Sequence, residues 1–91
     1  MMFDLSITTQ YKRDLKLARK RGFDENLLDE IILLLINGKP LPAKNKDHSL
    51  KGDYKGCREC HITPDWLLIY SIENGINLLT LLRTGSHSDL F

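Results

Sequence analysis

No stretch of this chain stays apolar for anything near the roughly 20 residues that a membrane helix needs, so a helical membrane span is excluded. An export signal is lacking as well. Met1-Met2-Phe3-Asp4 has neither the basic flank nor the long apolar stretch of a secretory leader, and the cytoplasm is the expected compartment. Internal repeats, linkers and low-complexity tracts are missing, which leaves one small domain over residues 1–91 with room for a modest core. Cysteine is scarce. The pair present falls in Cys57-Arg58-Glu59-Cys60-His61, which has the outward form of a haem-attachment or Cys-x-x-Cys site. Zinc would need a second ligand pair that the chain lacks, and haem attachment of this kind belongs outside the cytoplasm. Cysteines three apart on a strand also point to opposite faces. Two reduced cysteines, no metal and no cofactor are expected.

Charge of one sign is not in excess either, since the formal net charge is +1. What is present is segregation. Six of the 13 basic residues fall between Lys12 and Arg21, against only Asp14. Another six, Lys39, Lys44, Lys46, Lys51, Lys55 and Arg58, lie between Lys39 and Arg58, and Arg83 completes the set. Phosphate contacts depend on local rather than net charge, so two basic patches fit a polyanion footprint as well as they fit solvated faces.

Phe3-Asp4-Leu5-Ser6-Ile7 alternates as a half-buried strand does. Thr8 or Thr9 can cap a helix that carries Tyr11, Leu15 and Ala18 on one face and ends at Gly22. A second helix begins near Asp24, shows Leu27, Leu28, Ile31, Ile32 and Leu35 at helical spacing, and stops at Asn37-Gly38 before Pro40. Residues 41–52 read as a charged, functional loop. Strands are expected over 54–62, over the apolar run 66–70, which suits a central strand, and over 76–82 after a two-residue Asn74-Gly75 hairpin turn. The fold class is α+β, with two N-terminal helices packed on one face of a mostly antiparallel β-sheet in the order β-α-α-β-β-β. Alternation puts Cys57, Glu59 and His61 on one face of their strand, and Leu79, Leu81 and Arg83 together on the last.

The three histidines all lie in the second half, each near an acid. Asp47-His48 ends the lysine-rich loop, His61 precedes Pro64-Asp65-Trp66, and His87 follows Arg83-Thr84-Gly85-Ser86. Imidazole both takes and gives a proton near neutrality. Arginine offers a planar fork that fits a phosphate. Converging on a basic surface, these groups suit phosphodiester cleavage without a metal. Taken singly each is weak: Asp65 can close a turn, and Trp66 can stack on a base or belong to the core.

Several segments in order carry a family resemblance: Leu41-Pro42-Ala43, Lys46-Asp47-His48-Ser49-Leu50-Lys51-Gly52, Tyr54-Lys55-Gly56, His61 through Tyr70, and Arg83-Thr84-Gly85-Ser86-His87 through Leu90-Phe91. Over nearly the whole chain the sequence resembles the YafQ-type toxins of the RelE superfamily, ribosome-dependent messenger-RNA endonucleases of type II toxin–antitoxin pairs. The resemblance implies a microbial-ribonuclease-like fold and a site at His48, His61, Asp65, Arg83, His87 and Phe91. It also implies a cognate antitoxin of ribbon-helix-helix, DNA-binding type whose tail covers the site, with operator DNA contacted only through that complex. The ribosome and messenger RNA are the remaining implied partners, and no membrane is involved.

Cleavage by transesterification needs a base for the 2′-hydroxyl proton, a cation for the phosphorane and an acid for the departing 5′-oxygen. His87 is the favoured acid, His48 or His61 the base, and Asp65 orients an imidazole or shares the proton transfer. Arg83 meets the phosphorane charge. Phe91 and Trp66 can stack on a base, and Lys46, Lys51 and Lys55 can hold the backbone of the substrate. The competing readings are a non-catalytic RNA- or antitoxin-binding module, in which the histidines are structural, and an inactive toxin of the same fold.

Overall fold

A computed structural model describes residues 2–91; Met1 lies outside them. Local capping chemistry sets the first half. Thr8 takes an extended conformation and its hydroxyl accepts the Tyr11 amide, so strand β1 (Asp4–Ile7) passes directly into helix α1 (Thr9–Lys20). Asp24 does the same for α2 (Glu25–Ile36) through the Asn26 amide. Both helices are where their caps and periodicity place them.

The second half adds β2 (His48–Ser49), β3 (Arg58–Thr63), β4 (Trp66–Glu73), β5 (Leu78–Gly85) and a short C-terminal helix α3 (His87–Leu90). The five strands form one mixed sheet in the order β1-β5-β4-β3-β2, with β1 parallel to β5 and the other pairs antiparallel. The apolar run is the central strand, as its composition requires. Trp66, Leu68 and Tyr70 of β4 join Tyr11, Ala18, Leu28, Ile31 and Leu35 of the helices in the main core. Leu67 and Ile69 face the other way and meet Leu90 of α3 in a second, smaller cluster. Each fully buried Leu or Ile of this strand contributes about 1.5–3 kcal/mol from burial alone.

Four expectations need correction. The Asn74-Gly75 hairpin is not a two-residue turn: Glu73 pairs with Leu78, a 3₁₀ turn (Asn74–Ile76) fills the gap, and Asn77, not Gly75, takes the left-handed conformation at φ 51°. Asn is among the non-glycine residues most often found in that region. The strand expected over 54–62 starts only at Arg58, because a 3₁₀ turn (Gly52–Tyr54) and Gly56 at φ 89° bend the chain first. The charged loop is partly ordered by a 3₁₀ turn (Ala43–Asn45) and by β2. Finally, Arg83 does not share a face with Leu81. The β4–β5 register shifts so that Tyr70 pairs with Leu81 and Ile69 with Arg83, leaving Leu82 as an extra residue. That bulge breaks the period-two alternation on which the expectation rested.

Candidate active site

The face away from α1 and α2 carries a row of residues drawn from four strands. His48 of β2 stands opposite Glu59 of β3, Glu59 opposite Ile69 of β4, and Ile69 opposite Arg83 of β5. At about 4.8 Å between strands, the Cα atoms of His48 and Arg83 are roughly 14 Å apart. The β5 bulge is what brings Arg83 into this row. In the next row on the same face His61 stands opposite Leu67, and Leu67 opposite Gly85, the residue from which the chain turns towards His87.

His48 is held by its own loop. Its Nδ1 lies 2.7 Å from the Lys46 carbonyl, which can only accept, so Nδ1 carries a proton and Nε2 is left for exchange. Nε2 faces Oε1 of Glu59 at 3.5 Å. Glu59 is 5% exposed, and its Oε2 is buried without a hydrogen-bond partner. A carboxylate left half-satisfied inside a sheet is costly, and such sites are where proton chemistry is found. The loop is anchored from behind by Asp47, which accepts from Arg58 Nη2 at 3.0 Å and from the Tyr70 hydroxyl.

Arg83 is not a free cation. Its Nε and Nη2 donate to the Asp14 carboxylate of α1 at 2.9 and 3.1 Å, and this pairing, with Tyr54 alongside, holds the guanidinium firmly charged. The bonds occupy two of its five N–H donors and leave the rest for an anion. Past Gly85, Ser86 caps α3 by accepting the Asp89 amide, and Asp89 accepts the Ser86 amide in return. A Cβ at Gly85 would lie 3.0 Å from Asp89 Cβ and Oδ2, so the close return of α3 favours glycine there. Arg21, the C-cap of α1, clasps Asp89 from outside, with Nη2 at 3.2 Å from Oδ1. The result is an aromatic group in which His87 and Phe91 are exposed and Tyr54 half-buried: the His87 and Phe91 ring centroids are 5.1 Å apart, and Tyr54 meets Phe91 edge-on at 5.9 Å.

The structure thus gathers His48, Arg83, His87 and Phe91 around one face, with Glu59 and Tyr54 beside them. His61 lies one row away, half-buried, its carbonyl bonded by the Asn45 side-chain amide at 2.7 Å, and it borders a cleft of about 450 Å³ with Lys44, Lys46 and Pro64. Asp65 is exposed in the β3–β4 turn, and among the described residues no hydrogen bond ties it to His61. Trp66 departs from the expectation of base stacking. It is 1% exposed and packs against Phe23 at 5.0 Å in the main core, because the first residue of a central strand turns towards the helices. Lys46, Lys51 and Lys55 are exposed and lack acidic partners among the described residues. Glu59 and Asp14 were not foreseen as site residues, yet each left a trace: Glu59 is a charge within a strand, and Asp14 is the lone acid of a basic run.

The fold is shared with bacterial toxins. Residues 3–91 match the family described as "Bacterial toxin of type II toxin-antitoxin system, YafQ". The mRNA interferase toxin YafQ of Escherichia coli K12 is 48% identical over 89 residues, covering 97% of this chain and 95% of that protein. The E. coli DinJ–YafQ toxin–antitoxin complex contains a chain 47% identical to this one, with a TM-score of 0.91 and coverage of 100% and 99%. A metal-bound toxin from Helicobacter pylori superposes with a TM-score of 0.91 at 45% identity, covering the whole of both chains. The chain belongs to the YafQ family of type II toxins.

Proposed function

We propose that this chain is an mRNA interferase, an endoribonuclease that cuts messenger RNA on the ribosome and so inhibits translation. The observation that supports this reading is the row His48–Glu59–Ile69–Arg83, which sets an imidazole–carboxylate pair and an arginine at its two ends on the sheet face away from α1 and α2. His48 takes the 2′-hydroxyl proton through Nε2, the nitrogen on the side of Glu59, while the Lys46 carbonyl holds Nδ1. The 2′-oxygen attacks phosphorus, Arg83 holds the phosphorane charge with its free N–H groups, and His87 protonates the departing 5′-oxygen. A 2′,3′-cyclic phosphate and a 5′-hydroxyl remain. Phe91, 57% exposed, offers a face for a base of the substrate. His61, with Asp65 in the turn close by, is the remaining candidate for proton transfer, and Lys46, Lys51 and Lys55 hold the RNA backbone.

No metal is assigned to the chemical step. Among the described residues no three His, Cys, Asp or Glu side chains form a cluster that could hold a metal ion. Along α1 and its C-cap, Arg19 and Arg21 are paired to Glu25 and Asp89, whereas Lys12, Arg13, Lys16 and Lys20 are exposed without acidic partners among the described residues. That stripe suits a phosphate-rich surface such as ribosomal RNA. By analogy with the E. coli pair, the chain is neutralised by a cognate antitoxin, of ribbon-helix-helix type, that covers the site and alone contacts operator DNA. No helix is long and apolar enough to cross a membrane. A toxin acting on translation works in the cytoplasm.

The test is inducible expression of wild type and His87→Ala with mapping of messenger-RNA 5′ ends. New ends inside translated codons for wild type alone are expected. Unchanged transcripts with both would overturn the nuclease reading in favour of a binding module or an inactive toxin.

A further inference from the structure

Asp14 lies on α1, outside the catalytic row, yet it is the most heavily bonded carboxylate of this region. It accepts Nε and Nη2 of Arg83 at 2.9 and 3.1 Å, the Thr84 amide at 3.2 Å and Gln10 Nε2 at 3.0 Å. Its side chain is only 9% exposed. Burial pushes its carboxyl up, but the bonds from Arg83, Gln10 and the Thr84 amide outweigh that and hold it below the ordinary range. A bidentate clasp on a guanidinium fixes the plane of the fork as well as its place. The bulge that turns Arg83 onto the site face also leaves the Thr84 amide on the side of β5 that β1 no longer pairs, since the β1–β5 ladder ends at Ile7 and Leu81. Asp14 fills that gap.

We propose that Asp14 is a positioning residue for RNA cleavage: it clamps the end of β5 and aims the free N–H donors of Arg83 at the scissile phosphate. The proposal rests on the nuclease reading above. Asp14 touches no substrate and moves no proton. It keeps a cation that would otherwise sample many rotamers in the one orientation where developing phosphorane charge is met without reorganisation. Its loss therefore lowers the rate of the chemical step more than the affinity for the programmed ribosome. The effect exists only while Arg83 is present.

The test is a double-mutant cycle of Asp14→Asn and Arg83→Ala, read as single-turnover cleavage of a defined messenger RNA on programmed ribosomes, with ribosome binding measured alongside. Asp14→Asn alone is expected to slow cleavage roughly 10–100-fold with little change in binding. In the Arg83→Ala background the same change is expected to cost almost nothing further. Losses that multiply would mean that Asp14 acts independently of Arg83, as a merely structural residue would, and would overturn the proposal. So would wild-type cleavage by Asp14→Asn. Should Asp14→Asn fail to fold, Asp14→Glu carries the cycle instead, with a smaller loss that again disappears without Arg83. Absence of cleavage by the wild type itself would sink the nuclease reading, a result distinct from either failure of the clamp.

Discussion

At the residue scale the least expected feature is Glu59. A carboxylate with one oxygen near an imidazole and the other unpartnered is a poor stabiliser, because the cost of desolvation is only partly offset. Function explains its presence better than folding does. Glu59→Gln keeps the shape and removes the charge, so its melting temperature should equal or exceed that of the wild type. Cleavage should meanwhile fall about 10²-fold or more. Calorimetry and single-turnover cleavage on the same preparation decide the matter, and undiminished cleavage would remove Glu59 from the proton transfer. His48 is the reciprocal case, since the Lys46 carbonyl dictates which of its nitrogens can meet the carboxylate.

At the scale of elements, α3 is four residues long and could not stand alone in water. It persists because Leu90 is buried against Leu67 and Ile69, because Ser86 and Asp89 cap each other, and because Arg21 ties Asp89 to α1. Arg21→Ala should loosen α3 without unfolding the protein, raising amide exchange at Leu90 and Phe91 while leaving β4 protected. Cleavage should fall, though less than on loss of His87, and unchanged exchange would refute the tether. The pH dependence has a definite sign. The hydrogen bond from Arg21, then those from Ser86, hold the Asp89 carboxyl well below the usual carboxylate range. The tether therefore contributes stability above the ordinary carboxylate pKa of about 3.9 and loses it as the pH falls through the lower folded value. Protection of α3 should fade on acidification before that of the core.

For the molecule as a whole, the sheet divides the work. Its helix side holds the main core, and its other side carries only a small apolar cluster with the site around it. Arg58 and Tyr70 connect the two: Arg58 pairs with Tyr70 across the helix-side row, and both reach Asp47, so the core holds the loop that presents His48. Tyr70→Phe removes a buried hydroxyl bonded to a carboxylate and should cost about 1.5–3 kcal/mol. At about 4–8 °C per kcal/mol for a domain of this size, the loss is readily seen by calorimetry. An unchanged melting temperature would show that the loop is held by other means.

How much was legible beforehand follows from the range of the interactions. The helices, their caps and the central strand were set by contacts within a few residues, through Thr8, Asp24 and the run from Trp66, and the sequence alone determined them. The family resemblance pointed to His48, His61, Arg83 and His87, the residues proposed above for cleavage. Local signals left Trp66 open between base stacking and the core, where it packs on Phe23, and misjudged Arg83, whose face depends on a bulge that only strand pairing reveals. The Glu59–His48 contact and the Asp14–Arg83 clasp, which join residues 11 and 69 positions apart, belong to the tertiary structure alone. An ion pair between distant residues leaves no periodic trace in a sequence, so the geometry of the site was decided only when the sheet closed and α1 was laid across its edge.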